Sequence, residues 1–372
     1  MKRVVIVVAH PATVRSFLGY QLAVLSRTYQ VSVVANAGEQ GMPFLPDGVR
    51  CISVRLERRP APLRDALALF TLYRLFRRER FDVVHSMTPK AGLLAMLAAF
   101  ASGTPVRLHT FMGEVWATRQ GWSRSFLKGF DRLVAMLATE VMVVSPSERS
   151  FLRAEGVLGA SRGLVLAEGS LSGVDTARFE PDPSARKDVR AQLGIDDEDV
   201  VFLFLGRLTR DKGVIVLARA WQRLVDANVG GRLVLVGPDE ERLLGLPLFD
   251  QEGLVAVGPT LEPERYVKAS DVLCLPSGRE GFGNVVIEAA AAGVPAIASR
   301  IYGLSDAIVD EETGLLFECD DVDALTTCML RLMTDPGLRG ALGMAARKRA
   351  VSRFSQEIVV AALIRAYDDA LG

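Results

Sequence analysis

Twice along the chain, short β-branched runs alternate with longer amphipathic segments, and a polar gap separates the two series. The first series is "RVVIVVA" (3–9), "VSVVANA" (31–37), "CISVRL" (51–56), "DVVHS" (82–86), "VRLHTF" (106–111) and "EVMVVS" (140–145). The second is "VVFLFLG" (200–206), "RLVLVG" (232–237), "LVAVG" (254–258), "VLCLPS" (272–277), "PAIAS" (295–299) and "GLLFE" (314–318). Runs this apolar, separated by helical segments such as "LRDALALFTLYRLFRRER" and "RSFLKGFDRLVAMLA", fit strands buried on both faces of a parallel sheet. The expectation is therefore α/β: two doubly wound, Rossmann-like domains in series, with ligands outside the carboxyl ends of the strands and a shared cleft between facing domains.

The gap, "EPDPSARKDVRAQLGIDDEDV" (180–200), carries two prolines and reads as a linker followed by a short helix. It places one domain at 1–180 and the other at 195–355, with the last helical stretch, 356–371, able to dock on either. A length of 372 residues suits two such domains.

The formal net charge is zero, but it is unevenly spread. Through Glu180 there are 23 Lys and Arg against 14 Asp and Glu, and beyond it 21 against 30. A basic first half and an acidic second half imply different partners for each, or two domains that attract one another. Four cysteines without a CxxC pair argue against a zinc site and a disulfide framework and fit a reducing cytoplasm. No secretory signal is expected from Val4–Ala9, and the longest apolar stretch, 91–101, falls short of the roughly 20 residues of a membrane span.

"FLFLGRLTRDKG" puts Arg207 and Lys212 just past a buried strand and ahead of a helix. Arg grips two oxygens in a planar fork and Lys acts as a point charge, so the pair suits a diphosphate beside a helix N-terminus. A solvated loop is the plainer alternative. "PSGREGFGNVVIEAAAAGVPAIAS" (276–299) sharpens the choice. Gly281, Phe282, Gly283 and Asn284 lead into a helix whose first amides are left to face an anion or hydroxyls. Glu288 lies about one turn in, among Val286, Ile287 and alanines. A carboxylate there is costly unless it is hydrogen-bonded, and the vicinal hydroxyls of a ribose suit a group that can only accept. Pairing with a core Arg or Lys is the structural alternative. Glu280, in the loop, faces whatever lies beyond the phosphates.

"EGFGNVVIE" resembles the E-x7-E signature of the retaining glycosyltransferases of family four, whose fold is GT-B. The resemblance continues in "GRLTRDKG", "LVGPDEE", "YVKASDVLCLPSGREGFGNVVIEAAAAGVPAIAS", "GLSDAIVDEETGLLFE" and "RFSQEIVVAALIRAY", in the order that family shows. In the first half "DVVHSMTPKAGLL", "HTFMGEVWAT" and "GSLSGVDTARF" look like the bacterial branch that builds surface polysaccharide, O-antigen included, on polyprenyl-diphosphate carriers. The resemblance implies that Arg207 and Lys212 hold the diphosphate of a nucleotide-sugar, most often UDP, that Glu288 holds its ribose, and that Glu280 holds a hydroxyl of the donor sugar. The amides of Gly281 to Asn284 would support sugar and phosphate. His109, Glu114 and His85 are the candidates on the acceptor side. The chain departs from the family in "AHPATVRSFLGYQ" after the first strand and in Met112, where many members have a histidine.

The implied activity is transfer of a hexose or N-acetylhexosamine to a lipid-linked saccharide, without an obligatory metal or cofactor. The incoming hydroxyl attacks the face the diphosphate leaves, and a leaving-group oxygen accepts the proton. Asp321-Val322-Asp323 matches a metal-binding DxD but reads better as a helix cap. No GxGxxG follows the first strand, no GxxxxGK[ST] occurs, and no nucleic-acid partner is expected. A soluble sugar or sugar-phosphate acceptor, an epimerase and a non-catalytic nucleotide-sugar binder remain alternatives. Finally, "RLERRPAPLRDALALFTLYRLFRRER" (55–80) gathers Arg55, Arg58, Arg59, Arg64, Arg74, Arg77, Arg78 and Arg80 around Leu69, Leu72 and Phe76. Either it is an ordinary covering helix, or it draws the first domain to an anionic membrane surface, at the inner face of the cell membrane.

Overall fold

The computed structural model describes residues 1–38, 41–57 and 61–372. The chain forms two compact units, one of residues 1–172 with 356–372, the other of residues 173–355.

The first unit is built from β1 (Arg3–Val7), α1 (Pro11–Thr13), α2 (Gly19–Leu25), β2 (Gln30–Ala35), β3 (Arg50–Ser53) and α3 (Pro62–Glu79). It continues with β4 (Val83–Ser86), α4 (Pro89–Ser102), β5 (Val106–Phe111), α5 (Gly121–Leu137), β6 (Glu140–Val143), α6 (Pro146–Ala154) and β7 (Leu164–Val165). Its seven strands lie in the order β3-β2-β1-β4-β5-β6-β7, with every described pair parallel. The apolar runs are where they should be for a sheet buried on both faces: Val4 to Val7 and Val83 to Val84 have no exposed surface.

The second unit comprises α7 (Pro183–Leu193), β8 (Val201–Leu205), α8 (Val214–Asp226), β9 (Arg232–Val236), β10 (Leu254–Gly258), α9 (Pro263–Ala269) and β11 (Val272–Leu275). Then come α10 (Asn284–Ala291), β12 (Ala296–Ser299), α11 (Leu304–Ala307), β13 (Gly314–Phe317), α12 (Val322–Thr334) and α13 (Pro336–Arg353). Its six parallel strands run β10-β9-β8-β11-β12-β13. Both sheets thus reverse direction after their first strand, between β1 and β4 in one unit and between β8 and β11 in the other. Ligands of such sheets bind at that reversal, outside the carboxyl ends.

The polar gap is not a linker. Asp182 caps α7, accepting from Ser184 and Ala185 at 3.0 and 3.1 Å. The helix packs into the second unit through Arg190, whose guanidinium is 1% exposed. It donates to the carbonyls of Ala269, Asp196, Asp197 and Asp199 and meets the Asp271 carboxylate at 2.6 Å. A buried guanidinium with its donors satisfied is an anchor, so the units divide near 172 rather than at 180–195. The last helix, α14 (Gln356–Leu371), belongs to the first unit. Its Tyr367 hydroxyl lies 2.6 Å from His85 Nδ1, and its Asp368 accepts from the Tyr29 hydroxyl. The short β7 is an addition to the expected strands; two residues leave no pattern to read. No helix among the described residues is long and apolar enough to cross a membrane.

Candidate functional site

In the second unit the chemistry gathers where the sheet reverses. The loop after β8 carries Arg207 and, through a 3-10 turn at Arg210–Lys212, reaches Gly213 at the head of α8. Gly213 has φ +72°, and a Cβ there would run into the Pro276 carbonyl, so this loop lies directly against the one after β11. The two are joined again by the Gly278 amide, which donates to the Asp211 carbonyl at 2.9 Å.

Across this seam Lys212 Nζ stands 2.6 Å from Glu280 Oε1, both side chains mostly buried, and Ser277 Oγ donates to the same oxygen at 3.0 Å. Arg207 meets Glu240 at 2.9 Å and approaches Asp211 at 3.8 Å. Arg279 reaches Asp211 at 3.4 Å, and the Thr209 hydroxyl donates to it. Burial alone would raise the Asp211 carboxyl. The Thr209 hydrogen bond and the cations Arg207, Lys212 and Arg279 outweigh it and hold Asp211 below its ordinary range. Three cations and three carboxylates, Glu280, Glu240 and Asp211, therefore share one seam, and each cation is already held in place.

The loop continues through Gly281, Phe282 and Gly283 into α10 at Asn284. Phe282 turns inward onto Phe354, centroids 5.2 Å apart, so this residue offers a ligand its backbone and not its ring. Glu288 is half-buried, and no protein group among the described residues donates a hydrogen bond to its carboxylate. Desolvation pushes it up to about 7, Arg178 pulling it down and Glu264 pushing it further up. Arg178 is itself held by Glu264, at 2.6 and 3.0 Å. A carboxylate left without a donor in an apolar helix is suited to hydroxyls brought by a ligand. Pairing with a core cation, the alternative reading, is not what is found.

In the first unit the candidates are buried. His85 has both ring nitrogens occupied, by Tyr367 at 2.6 Å and by Thr110 Oγ1 at 2.7 Å, and so ties α14 to β4 and β5. His109 Nδ1 bonds Ser86 Oγ at 2.8 Å, and its ring lies so close to Gly92 that a Cβ there would sit 2.5 Å from the imidazole. Desolvation drops both histidines to about 3, so both are neutral at ordinary pH. His109 and Glu114 do come together: with Asp131 they line a cavity of about 30 Å³, room for about two waters. Beside it lies Glu148, which nothing in the sequence marked as more than a cap. The spacing Ser145-x-x-Glu148 is a capping box, and Ser145 Oγ accepts from the Glu148 amide at 3.1 Å. The Glu148 side chain accepts instead from the amides of Gly113 at 2.5 Å and Val144 at 2.8 Å, bracing the loops after β5 and β6. Burial, then the neighbouring Glu114, raise the Glu148 carboxyl well above its ordinary value. Asp131, which accepts from Trp116 Nε1 at 2.6 Å, is raised to about 6 by burial. Away from both groups, Asp321 caps α12 through the Ala324 amide at 2.9 Å and Asp323 pairs with Arg223, as a helix cap requires.

Two units, each a doubly wound parallel sheet that reverses after its first strand, have the architecture of the GT-B fold. The chain matches the family model Glycosyl transferases group 1 over residues 185–349 and Glycosyl transferase 4-like domain over residues 14–169. It is 30% identical to the GDP-mannose-dependent alpha-(1-6)-phosphatidylinositol monomannoside mannosyltransferase of Mycolicibacterium smegmatis, covering 92% of this chain and 91% of that one. The chain belongs to this glycosyltransferase family. It is also 29% identical to the capsular polysaccharide biosynthesis glycosyltransferase CapM of Staphylococcus aureus (90% and 88% covered). To the UDP-Gal:alpha-D-GlcNAc-diphosphoundecaprenol alpha-1,3-galactosyltransferase of Escherichia coli it is 26% identical (88% and 86%). Among solved structures it shares its fold with sucrose-phosphate synthase of Thermosynechococcus elongatus, TM-score 0.82 at 24% identity over 99% of each chain. It does so also with Anabaena Alr3699/HepE in complex with UDP and glucose, TM-score 0.79 at 17% identity over 99% and 100%.

Proposed function

We propose that this glycosyltransferase is retaining, moving a hexose or N-acetylhexosamine from a UDP-sugar to a lipid-linked saccharide in the assembly of a bacterial surface glycan. The carrying observation is the Lys212–Glu280 pair at 2.6 Å on the seam between the loops after β8 and β11. A donor diphosphate competes for Lys212, and the carboxylate it releases is then an acceptor for a sugar hydroxyl. Arg207 and the amides of Gly281 to Asn284 face the same growing negative charge on the leaving diphosphate, giving its stabilisation to fixed cations and a helix N-terminus. Glu288 takes the ribose hydroxyls. The acceptor hydroxyl attacks the face the diphosphate leaves and passes its proton to a diphosphate oxygen. His109 and Glu114 act on the acceptor side, through the loop after β5, and not as exposed bases.

The lipid-linked acceptor is supported by two relatives whose names specify a diphosphoundecaprenol and a phosphatidylinositol acceptor. It is supported also by the basic first half, which suits a peripheral place at the inner face of the cell membrane. Of the arginines invoked for that contact, Arg58 and Arg59 lie outside the described residues. A panel of nucleotide sugars offered with an extracted polyprenyl-linked acceptor pool, read by mass, tests the proposal. A product one sugar heavier, formed with release of UDP, is expected. Transfer only to soluble sugars or sugar phosphates, or none with any donor, overturns it.

A further inference from the structure

Helices α3, α4 and α5 lie side by side, α4 packed against both of the others. Each already has its inward stripe: Ala68, Leu72 and Phe76 on α3, and Val134, Ala135 and Leu137 on α5, are buried. Both outer helices carry a second apolar stripe that the fold does not use. On α3 it is Leu63, Leu67 and Phe70, exposed by 84%, 66% and 56%. On α5 it is Trp122, Phe126 and Met136, exposed by 82%, 58% and 72%. The spacings, i, i+4, i+7 on α3 and i, i+4, i+14 on α5, keep each set on one side of its helix. Single exposed apolar residues need no explanation, but two helical stripes on one layer of a folded unit do.

The exposed charge on the helices themselves has one sign, although Arg64 meets Glu57 at 2.8 Å and Arg78 meets Glu79 at 3.4 Å. The exposed charged residues of these three helices are Arg64, Arg74, Arg77, Arg78 and Arg132, and no exposed Asp or Glu occurs among them. The acids of the layer are turned in or engaged: Glu79 and Asp131 are buried, and Asp65 pairs with Lys90 at 2.6 Å. Arg74 lies over the Phe70 ring, 5.6 Å from its centroid, so cation and apolar group are offered together. An apolar stripe whose exposed charged neighbours on the same helices are all arginine fits an anionic bilayer, whose acyl boundary takes the side chains while its phosphates take the guanidinium groups. Trp122 is of the kind that settles at such a boundary.

We propose that the outer stripes of α3 and α5 seat the first unit on an anionic lipid surface. The purpose of that seat rests on the lipid-linked acceptor proposed above; its existence does not. Trp116 and Trp221 are each 1% exposed, so of the three tryptophans only Trp122 lies where a quencher in the bilayer can reach it. Vesicles of phosphatidylcholine with about 30% phosphatidylglycerol and brominated acyl chains should quench it, pure phosphatidylcholine should not, and salt should weaken the effect. In flotation, W122S/F126S/M136S, and separately L63S/L67S/F70S, should each partition on the order of tenfold less. Absence of quenching at low salt, equal quenching by neutral vesicles, or both variants floating like the parent overturns the proposal. So does self-association in sedimentation that the same variants abolish, which would make the stripes a subunit contact. Transfer to the polyprenyl-linked pool in detergent is scored independently. Docking without transfer sinks the acceptor and keeps the surface; transfer without docking does the reverse.

Discussion

In the first unit the titratable groups near the strand ends are buried and pushed toward their neutral forms, whereas those of the second unit's seam are paired with opposite charges. His85 and His109 are neutral, and Asp131 and Glu148 are pushed toward protonation. Lys212, Glu280, Arg207, Asp211 and Arg279 form a single ionic seam. Strand order is the same in both sheets, so topology does not set this difference. The loops do: after β8 and β11 they are pinned backbone to backbone at Gly213, and their charged side chains pair with one another across the seam. After β5 and β6 they are pinned by a buried carboxyl, Glu148, which draws its neighbours inward. One pair of loops is joined through paired charges, which the proposed function turns toward a charged ligand, and the other is braced through a buried carboxyl.

If that contrast is right, the largest effect belongs to the seam. Lys212→Ala should lower kcat by about a hundredfold to a thousandfold, the usual consequence of removing one preorganised charge from a leaving diphosphate. A loss below tenfold under saturating donor would put the transition-state charge elsewhere. Glu280→Gln should separate the parts of the seam: turnover falls while UDP affinity in calorimetry is not weakened, because on the proposed reading Glu280 meets the donor sugar and only competes with the diphosphate for Lys212. Next come the nucleotide contacts. Glu288→Ala and Arg207→Ala should each weaken free UDP by about 1.5–3 kcal/mol. Glu288 adds a signature in pH. Its carboxyl is raised to about 7, so the accepting form is lost as pH falls through that value, and UDP affinity should decline below it. In Glu288→Ala that decline should flatten. A parallel decline in both proteins would assign the titration to another group.

The first unit makes the opposite demand, on stability and not on binding. Asp131 is raised from 3.8 to about 6, so the folded state holds a proton that the unfolded chain has lost between those values. Stability from this group is therefore greatest below about 4 and falls as pH rises to 6. Asp131→Asn keeps an oxygen for Trp116 Nε1 and cannot ionise. It should gain on the order of 1–3 kcal/mol over the parent at pH 8 in urea unfolding, and little at pH 4. A gain that does not depend on pH would mean that packing, not charge, is the cause.

How much of this was legible follows from how local each signal is. The strands of both sheets announce themselves because an apolar run is its own evidence, and Glu288 because a carboxylate among alanines has no local excuse. Glu148 sits in a capping box, and its neighbours give no hint that its side chain turns to Gly113, 35 residues away. Nothing beside Arg190 marks it as buried, because the carbonyls that enclose it include Ala269, 79 residues on. Asp211 and Arg279 are 68 residues apart, and only the sheet brings their loops together. Likewise the outer stripes of α3 and α5 are hidden in sequence, since an amphipathic segment does not say which of its apolar residues the core will take.

The most local effect tests the longest link. His85 and Tyr367 are 282 residues apart, yet each is buried and the hydroxyl lies 2.6 Å from Nδ1. The imidazole is neutral, so it has one N–H and one lone pair, and the hydroxyls of Tyr367 and Thr110 serve one each. Tyr367→Phe keeps the ring packed edge-on against His85 and removes only the oxygen. The buried ring nitrogen then loses its partner, at a cost of about 1–3 kcal/mol. Because the bond ties α14 to the first sheet, that loss should appear as faster amide exchange in α14 and in β4. The second unit has no share in it, so UDP affinity should be unchanged. Weakened nucleotide binding in this variant would show that the two units are less independent in their chemistry than their loops make them.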